Sequence, residues 1–568
     1  MKFLKNSIRI LLLLMIIPFF GMNSSLAQDT GFLVIAPDRG FMGNQEVRDL
    51  HENFDQNYIT SLAFVTPEET DRFLKEGIEA LEKEGVSELV VLPLFLSDDH
   101  PHFKLAKERL SGQTLTTLPV EFTTTFSENY LAAEILADRI AELSQEPKKE
   151  SLVVVATGAS TEEEKEAIRS DVERLLHMNH SWFDFDSQSV VVFGNDGGRS
   201  GPDQNELEEV LSSIQENGIT PVVVPFDLSS KLDGMMAFSS RIRSTVQKYG
   251  ALYNGKDITP HENVELWLAK QANSYLPVTK ENLGVIFMPH GSDYNWNRTM
   301  MNAIDELRDE YKIEHAFSMG DADLIEKATR KLEKRGATAI TVLRIFSLES
   351  SFKESIEYTI GLRENMGHGG MMHGMGAPKR VVSGSEFYTT GGLEDSPLFA
   401  EALLDRAIGL SENPENETVI LVGHGTRTEE GNTRWLKNLE SITAHMEKTA
   451  EEKGYDFRDF KFENWREDWP DLREKHINNV RNMVKEASED GGTAIVVPAR
   501  TTKGGHAQRW LGDLDFKHNG EGFAPHPLFV EWVESLILES LGHFNDGTKV
   551  SEDVTTSAAS SDQSHHAH

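Results

Sequence analysis

The chain has 568 residues, no cysteine and a formal net charge of −36. That length is too great for one hydrophobic core and implies roughly three to five domains. The acidic balance argues against nucleic acid and anionic membrane as partners. The missing thiols exclude disulfides, a lipoprotein anchor and thiolate metal sites, so any metal must be held by His, Met, Asp or Glu.

In chain order, the first feature is Lys2, Lys5 and Arg9, followed by the apolar stretch Ile10 to Phe20 and the small-residue site Ser25-Leu26-Ala27. Residues 1–27 read as a secretory signal, too short in its apolar part for a membrane span. No second run of that length follows. The expected mature protein is exported, periplasmic or secreted, with no membrane span.

One unit then recurs four times. "GFLVIAPDRG" (31–40), "SLVVVATGAS" (151–160), "GVIFMPHGSD" (284–293) and "TVILVGHGTR" (418–427) are apolar runs that end in a small turn. A charged stretch of helical period follows, such as "DADLIEKATRKLEKRG" (321–336), and then a second apolar run. The second runs are "ELVVLPLFLSDDH" (88–100), "TPVVVPFDLSS" (220–230), "TAITVLRIFSLES" (338–350) and "TAIVVPARTTKGGH" (493–506). Strands alternating with helices at this spacing predict α/β lobes, each a parallel sheet between helical layers. The predicted boundaries are 28–147, 151–275, 283–412 and 416–546, with proline-bearing polar linkers between them and a disordered tail at 547–568.

Ligands of open parallel sheets bind beyond the carboxyl ends of the strands. The fourth repeat places His424 and His506 at its two tips. The first places Asp38 at one tip and His100 and His102 at the other, and the third places His290 at its first tip. Paired imidazoles suit a divalent metal or a proton acceptor. Thr426, Arg427, Arg500, Thr501 and Thr502 are candidates to hold carboxylates of a ligand; for Arg427 and Arg500 a salt bridge on an acidic surface is the other reading. There is no G-x-S-x-G elbow, no H-E-x-x-H and no P-loop, hence no hydrolytic or nucleotide reading.

The "VGHGTR" start, the "VVLPLFL…H" and "VVPARTTKGGH" ends and the closing helices ("ENYLAAEILADRI", "SPLFAEALLDRAI", "HPLFVEWVESLI") resemble the sirohydrochlorin cobaltochelatase (CbiX) family of class II tetrapyrrole chelatases. The resemblance spans most of the chain beyond residue 27 in degenerate form. It implies two pseudo-symmetric pairs of lobes and ATP-independent insertion of Co²⁺, Fe²⁺ or Ni²⁺ into a tetrapyrrole such as sirohydrochlorin. It puts the family's two metal-site histidines on His424 and His506 in the fourth repeat, and on Asp38 and His100 in the first. The third repeat keeps only His290 and the second keeps neither, so activity is expected in the last lobe.

"MGHGGMMHGMGAP" (366–378) sets His368 and His373 among methionines and glycines. It reads either as a loop of biased composition or as a collector of soft ions such as copper. The alternative to an enzyme is a non-catalytic haem-, tetrapyrrole- or metal-binding protein on the same scaffold.

Overall fold

The computed structural model describes residues 30–112, 114–178, 183–194, 202–229, 232–233, 236–365 and 379–546. The predicted signal segment, the Met/His stretch with His368 and His373, and the tail from 547 lie outside them.

Four parallel sheets carry the chain. The first lobe holds β1 (Thr30–Pro37), β2 (Thr60–Val65), β3 (Glu88–Pro93) and β4 (Val120–Phe122). The second holds β5 (Glu150–Ala159), β6 (Ser187–Gly194) and β7 (Thr220–Pro225), with a small hairpin of β8 (Leu232–Asp233) and β9 (Met236–Ala237). The third contains β10 (Leu283–Pro289), β11 (Lys312–His315), β12 (Ala339–Ile345) and β13 (Glu386–Gly391), and the fourth β14 (Glu417–Gly423), β15 (Asp459–Asn464) and β16 (Thr493–Ala499).

The sheet orders β2-β1-β3-β4 and β11-β10-β12-β13 have shorter counterparts in β6-β5-β7 and β15-β14-β16. There the fourth strand is reduced to single parallel bridges, Val222 with Leu252 and Ile495 with Lys517. β1, β5, β10 and β14 are buried along their whole length. That explains their unbroken apolar runs, since helices cover both faces of a parallel sheet. The covering helices show the complementary stripe. Thr70–Glu84 buries Leu74, Gly77, Ile78 and Leu81 and stops at Gly85, whose φ of 85° favours glycine. Ala322–Glu333 begins at Asp321, which accepts from the Leu324 N–H, and buries Ile325, Ala328, Thr329 and Leu332.

The lobes associate in pairs because each closing helix lacks a complete core of its own. Leu131, Ile135 and Leu136 of Tyr130–Ala141 share one core with Val264, Trp267 and Leu268 of Glu262–Asn273. Phe399, Leu403 and Leu404 of Pro397–Ile408 share another with Phe529, Trp532 and Val533 of Pro527–Phe544. At about 1.5–3 kcal/mol for each large side chain fully buried, these shared cores dominate the pairing.

Polar details repeat with the same symmetry. Arg139 donates to the carbonyls of Asp257, Ile258 and Pro260, as Arg406 does to those of Gly522 and Pro525. Asp138 faces His261 at 3.3 Å, and Asp405 faces His526 at 3.6 Å. Glu150 accepts from Ser144, and Glu417 from Ser411. The expected arrangement as two pseudo-symmetric pairs is the one observed.

The two halves meet on residues 379–385. Arg380, fully buried, reaches Glu134 at 3.4 Å and the carbonyls of Met178 (3.4 Å) and Glu364 (3.0 Å). Tyr130 donates to the Val381 carbonyl, Asn273 to that of Gly384 and Lys270 to that of Ser385.

Candidate metal centre between the third and fourth lobes

The tip of β14 is shaped by close backbone approach. A side chain at Gly423 would lie 2.4 Å from Asn464 Oδ1, and one at Gly425 (φ 83°) about as close as 3.0 Å to Arg466. His424 is therefore held between two residues that must be small, with Trp435 (6.1 Å) and Trp469 (5.9 Å) flanking its ring.

The imidazole Nδ1 lies 2.8 Å from the Gly425 carbonyl. A carbonyl can only accept, so Nδ1 carries a proton, and in the neutral ring Nε2 presents its lone pair outward. Facing Nε2 are Asp468 Oδ2 at 3.1 Å and Glu467 Oε1 at 3.4 Å. A lone pair set against two carboxylates is relieved by a proton or by a cation between them. Among the described residues, His424, Glu467 and Asp468 form the group of three whose ligand atoms all lie within 4.8 Å of one another. One imidazole and two carboxylates suit a divalent ion of borderline hardness.

Glu467 is buried, and Arg500 Nη1 sits on both of its oxygens at 2.9 and 2.8 Å. Behind the site, buried Arg466 adopts φ 49° and donates to the Thr426 carbonyl (2.9 Å), to the Arg427 carbonyl and to Glu429 (2.5 Å). It thereby ties the β14 tip to the turn that carries Glu467 and Asp468. Across the crevice, His290 closes the same self-contact, Nδ1 to the Gly291 carbonyl at 2.6 Å, with its ring 4.4 Å from Trp296. Desolvation lowers its pKa against the raising effect of that bond, and the charge of Arg500 lowers it further. It stands ready as a neutral base.

The other expected site residues lie outside this group. His506 is not in the ligand group; it precedes the short helix Ala507–Leu511 without a side-chain capping bond and packs 4.3 Å from Trp510. Arg500 takes the salt-bridge reading. Thr502 is turned inward, 3% exposed, where its backbone bridges to Ala524. Thr426 donates to the Thr428 carbonyl, Thr501 is half-buried with its carbonyl accepting from the Ala524 N–H, and Arg427 is exposed. Glu467 and Asp468 are not among the candidates that the sequence offers.

The first half treats its equivalent crevice differently. Asp38 accepts from the Gly40 N–H and from Asn44, and His100 accepts from the His102 N–H, so these three are not assembled as a ligand group. Thr157 stands where the fourth lobe has His424 and Asp227 where it has Arg500. Buried Arg39 pairs with Asp227, reaches Thr157 at 3.4 Å and donates to the Ser229 carbonyl. His100 presses on Gly158, where a Cβ would come within 2.6 Å of the ring. The tips of these two lobes thus fill their crevice with each other.

Burial pushes nearby Asp257 up to about 8, Asp227 and Glu46 adding to the effect while Arg39 and Arg139 oppose it. The folded chain keeps a proton that the unfolded chain releases near about pH 4. Stability from this group is full below that pH and is lost as pH rises through about 8. The melting temperature is expected to fall between about pH 6 and pH 8.5, and Asp257→Asn to flatten the dependence in thermal scans.

The fold and the group at its strand tips define a protein of paired α/β lobes with a candidate metal centre in the crevice of its second pair. Residues 284–409, within the third lobe, match the family model described as CbiX. No curated protein sequence matches the chain. Among solved structures, SirB from Bacillus subtilis with Fe³⁺ is 17% identical, covering 42% of this chain and 91% of its own, with a TM-score of 0.33. The sirohydrochlorin chelatase SirB from Bacillus subtilis subspecies spizizenii, in complex with cobalt, is 15% identical, covering 42% and 90%, at 0.31. A multi-domain protein of Deinococcus radiodurans, described as structurally similar to chelatases, is 18% identical at 0.30. The match covers 45% of this chain and only 55% of that one.

Proposed function

We propose that the chain inserts a divalent metal, Co²⁺ or Fe²⁺, into a tetrapyrrole such as sirohydrochlorin, in the crevice between the third and fourth lobes and without a nucleotide. The observation that carries this is the outward Nε2 of His424 converging with Glu467 and Asp468, opposite the neutral imidazole of His290.

In this reading the metal is a substrate. His424 and the two carboxylates take the ion and replace part of its water shell. A macrocycle entering between the lobes presents one face to that ion and the other to His290, whose lone pair accepts one of the two pyrrole protons while the second leaves to solvent. Charge neutralisation by two carboxylates keeps the ion bound but exchangeable, as a substrate must be. His506, on the neighbouring loop, is assigned no step. The family match on the third lobe fits the need for both partners, because that lobe supplies His290. We place the protein outside the cytoplasm on the strength of residues 1–27.

The test is to follow the absorption spectrum of sirohydrochlorin with Co²⁺ or Fe²⁺ in the presence of the protein, against the spontaneous rate. Acceleration supports the enzyme. A pigment spectrum shifted by binding, with no acceleration, makes the protein a tetrapyrrole carrier instead.

A further inference from the structure

Arg500 stands in an unusual relation to the ligand group. Glu467 is 7% exposed and needs a countercharge. Arg500 provides it with one nitrogen, Nη1, on both carboxylate oxygens, one of which also faces His424 Nε2. Its Nε and Nη2 make no hydrogen bond to the described residues, and its side chain remains a quarter exposed. A divalent ion on His424, Glu467 and Asp468 would compete with the guanidinium for the same lone pairs and would be repelled by its charge at close range.

We infer that Arg500 is an internal competitor of the metal, which weakens binding at the site until an anionic group draws it away from Glu467. This rests on the function proposed above. The group suited to draw it away is a carboxylate of the incoming tetrapyrrole, since a guanidinium with free donors binds carboxylates in bidentate fashion. Arg500 then couples the two substrates: the arriving macrocycle takes the arginine, and Glu467 is released to the ion. Metal entry without the macrocycle is held weak, which limits trapping of ions in an empty crevice.

The experiment measures Co²⁺ affinity by quenching of the tryptophan fluorescence beside His424, in the wild-type chain and in Arg500→Gln, Arg500→Lys and His424→Ala. Apparent KM for sirohydrochlorin is measured in parallel. Arg500→Gln is expected to bind Co²⁺ about tenfold more tightly or better, and to raise the KM for the tetrapyrrole. Arg500→Lys, which keeps the charge, should stay near wild type for Co²⁺. Weaker or unchanged Co²⁺ binding in Arg500→Gln, with wild-type binding still dependent on His424, overturns the competitor role and leaves the metal centre standing. Binding that His424→Ala does not alter overturns the proposed centre and this inference together.

Discussion

Replacing His424 with alanine is expected to slow metal insertion by about a hundred- to ten-thousandfold, the usual range for a lost acid–base or ligand group. The side chain is the only imidazole of the ligand group, and its Nε2 is the nitrogen that faces Glu467 and Asp468. Its neighbours are small by necessity, so alanine fits without disturbing the strand tip. Unfolding behaviour should therefore stay close to wild type while the rate falls. Glu467→Gln is expected to lower the rate as well, here with some loss of melting temperature, because it removes both the ligand charge and the countercharge of Arg500. The check is the initial insertion rate together with a thermal scan of each variant. Loss of rate with unchanged melting places the effect at the site.

The second large effect is expected at Arg466. Its guanidinium is 2% exposed and joins two backbone carbonyls and the exposed Glu429, so its removal takes three hydrogen bonds from this turn. The position also requires φ 49°, which glycine adopts freely. Arg466→Gly thus removes the anchor while relieving the backbone, and any loss belongs to the anchor. Co²⁺ affinity is expected to fall tenfold or more, about 1.4 kcal/mol, with a change in the visible cobalt spectrum as Glu467 and Asp468 drift from His424. Arg466→Lys should rescue this poorly, since one ammonium cannot reproduce the planar fork. An unaltered cobalt spectrum in folded Arg466→Gly would show that strand pairing alone sets the turn.

How much of this was legible in the sequence depended on burial. The first strand of each lobe has helices on both faces, so its apolar run stands out, and four such runs disclosed four lobes. His424 was legible because glycines on either side mark a crowded backbone. Glu467 and Asp468 were not. They follow β15, "DFKFEN", an edge strand mostly half-exposed and with little apolar run to mark its end. The turn after it, "WREDWP", looked like the approach to a helix. A strand was needed in each unit between the two apolar runs, and asking where its tip lay would have found the acidic pair.

Arg39 and Asp227 lie 188 residues apart, so only the folded pair of lobes shows that they meet. The same is true of Arg500, whose two readings were equal in sequence and separated only by the position of Glu467. Buried first strands announce themselves through composition. Contacts between tips of different lobes depend on how the lobes dock, and single residues carry no trace of that.

The most direct test of the account is a Co²⁺ titration of the purified chain and of His424→Ala, followed by the visible absorption of bound cobalt. One ion per chain is expected, with a nitrogen-and-oxygen ligand spectrum that disappears in His424→Ala. An identical spectrum and stoichiometry in the two proteins would contradict it.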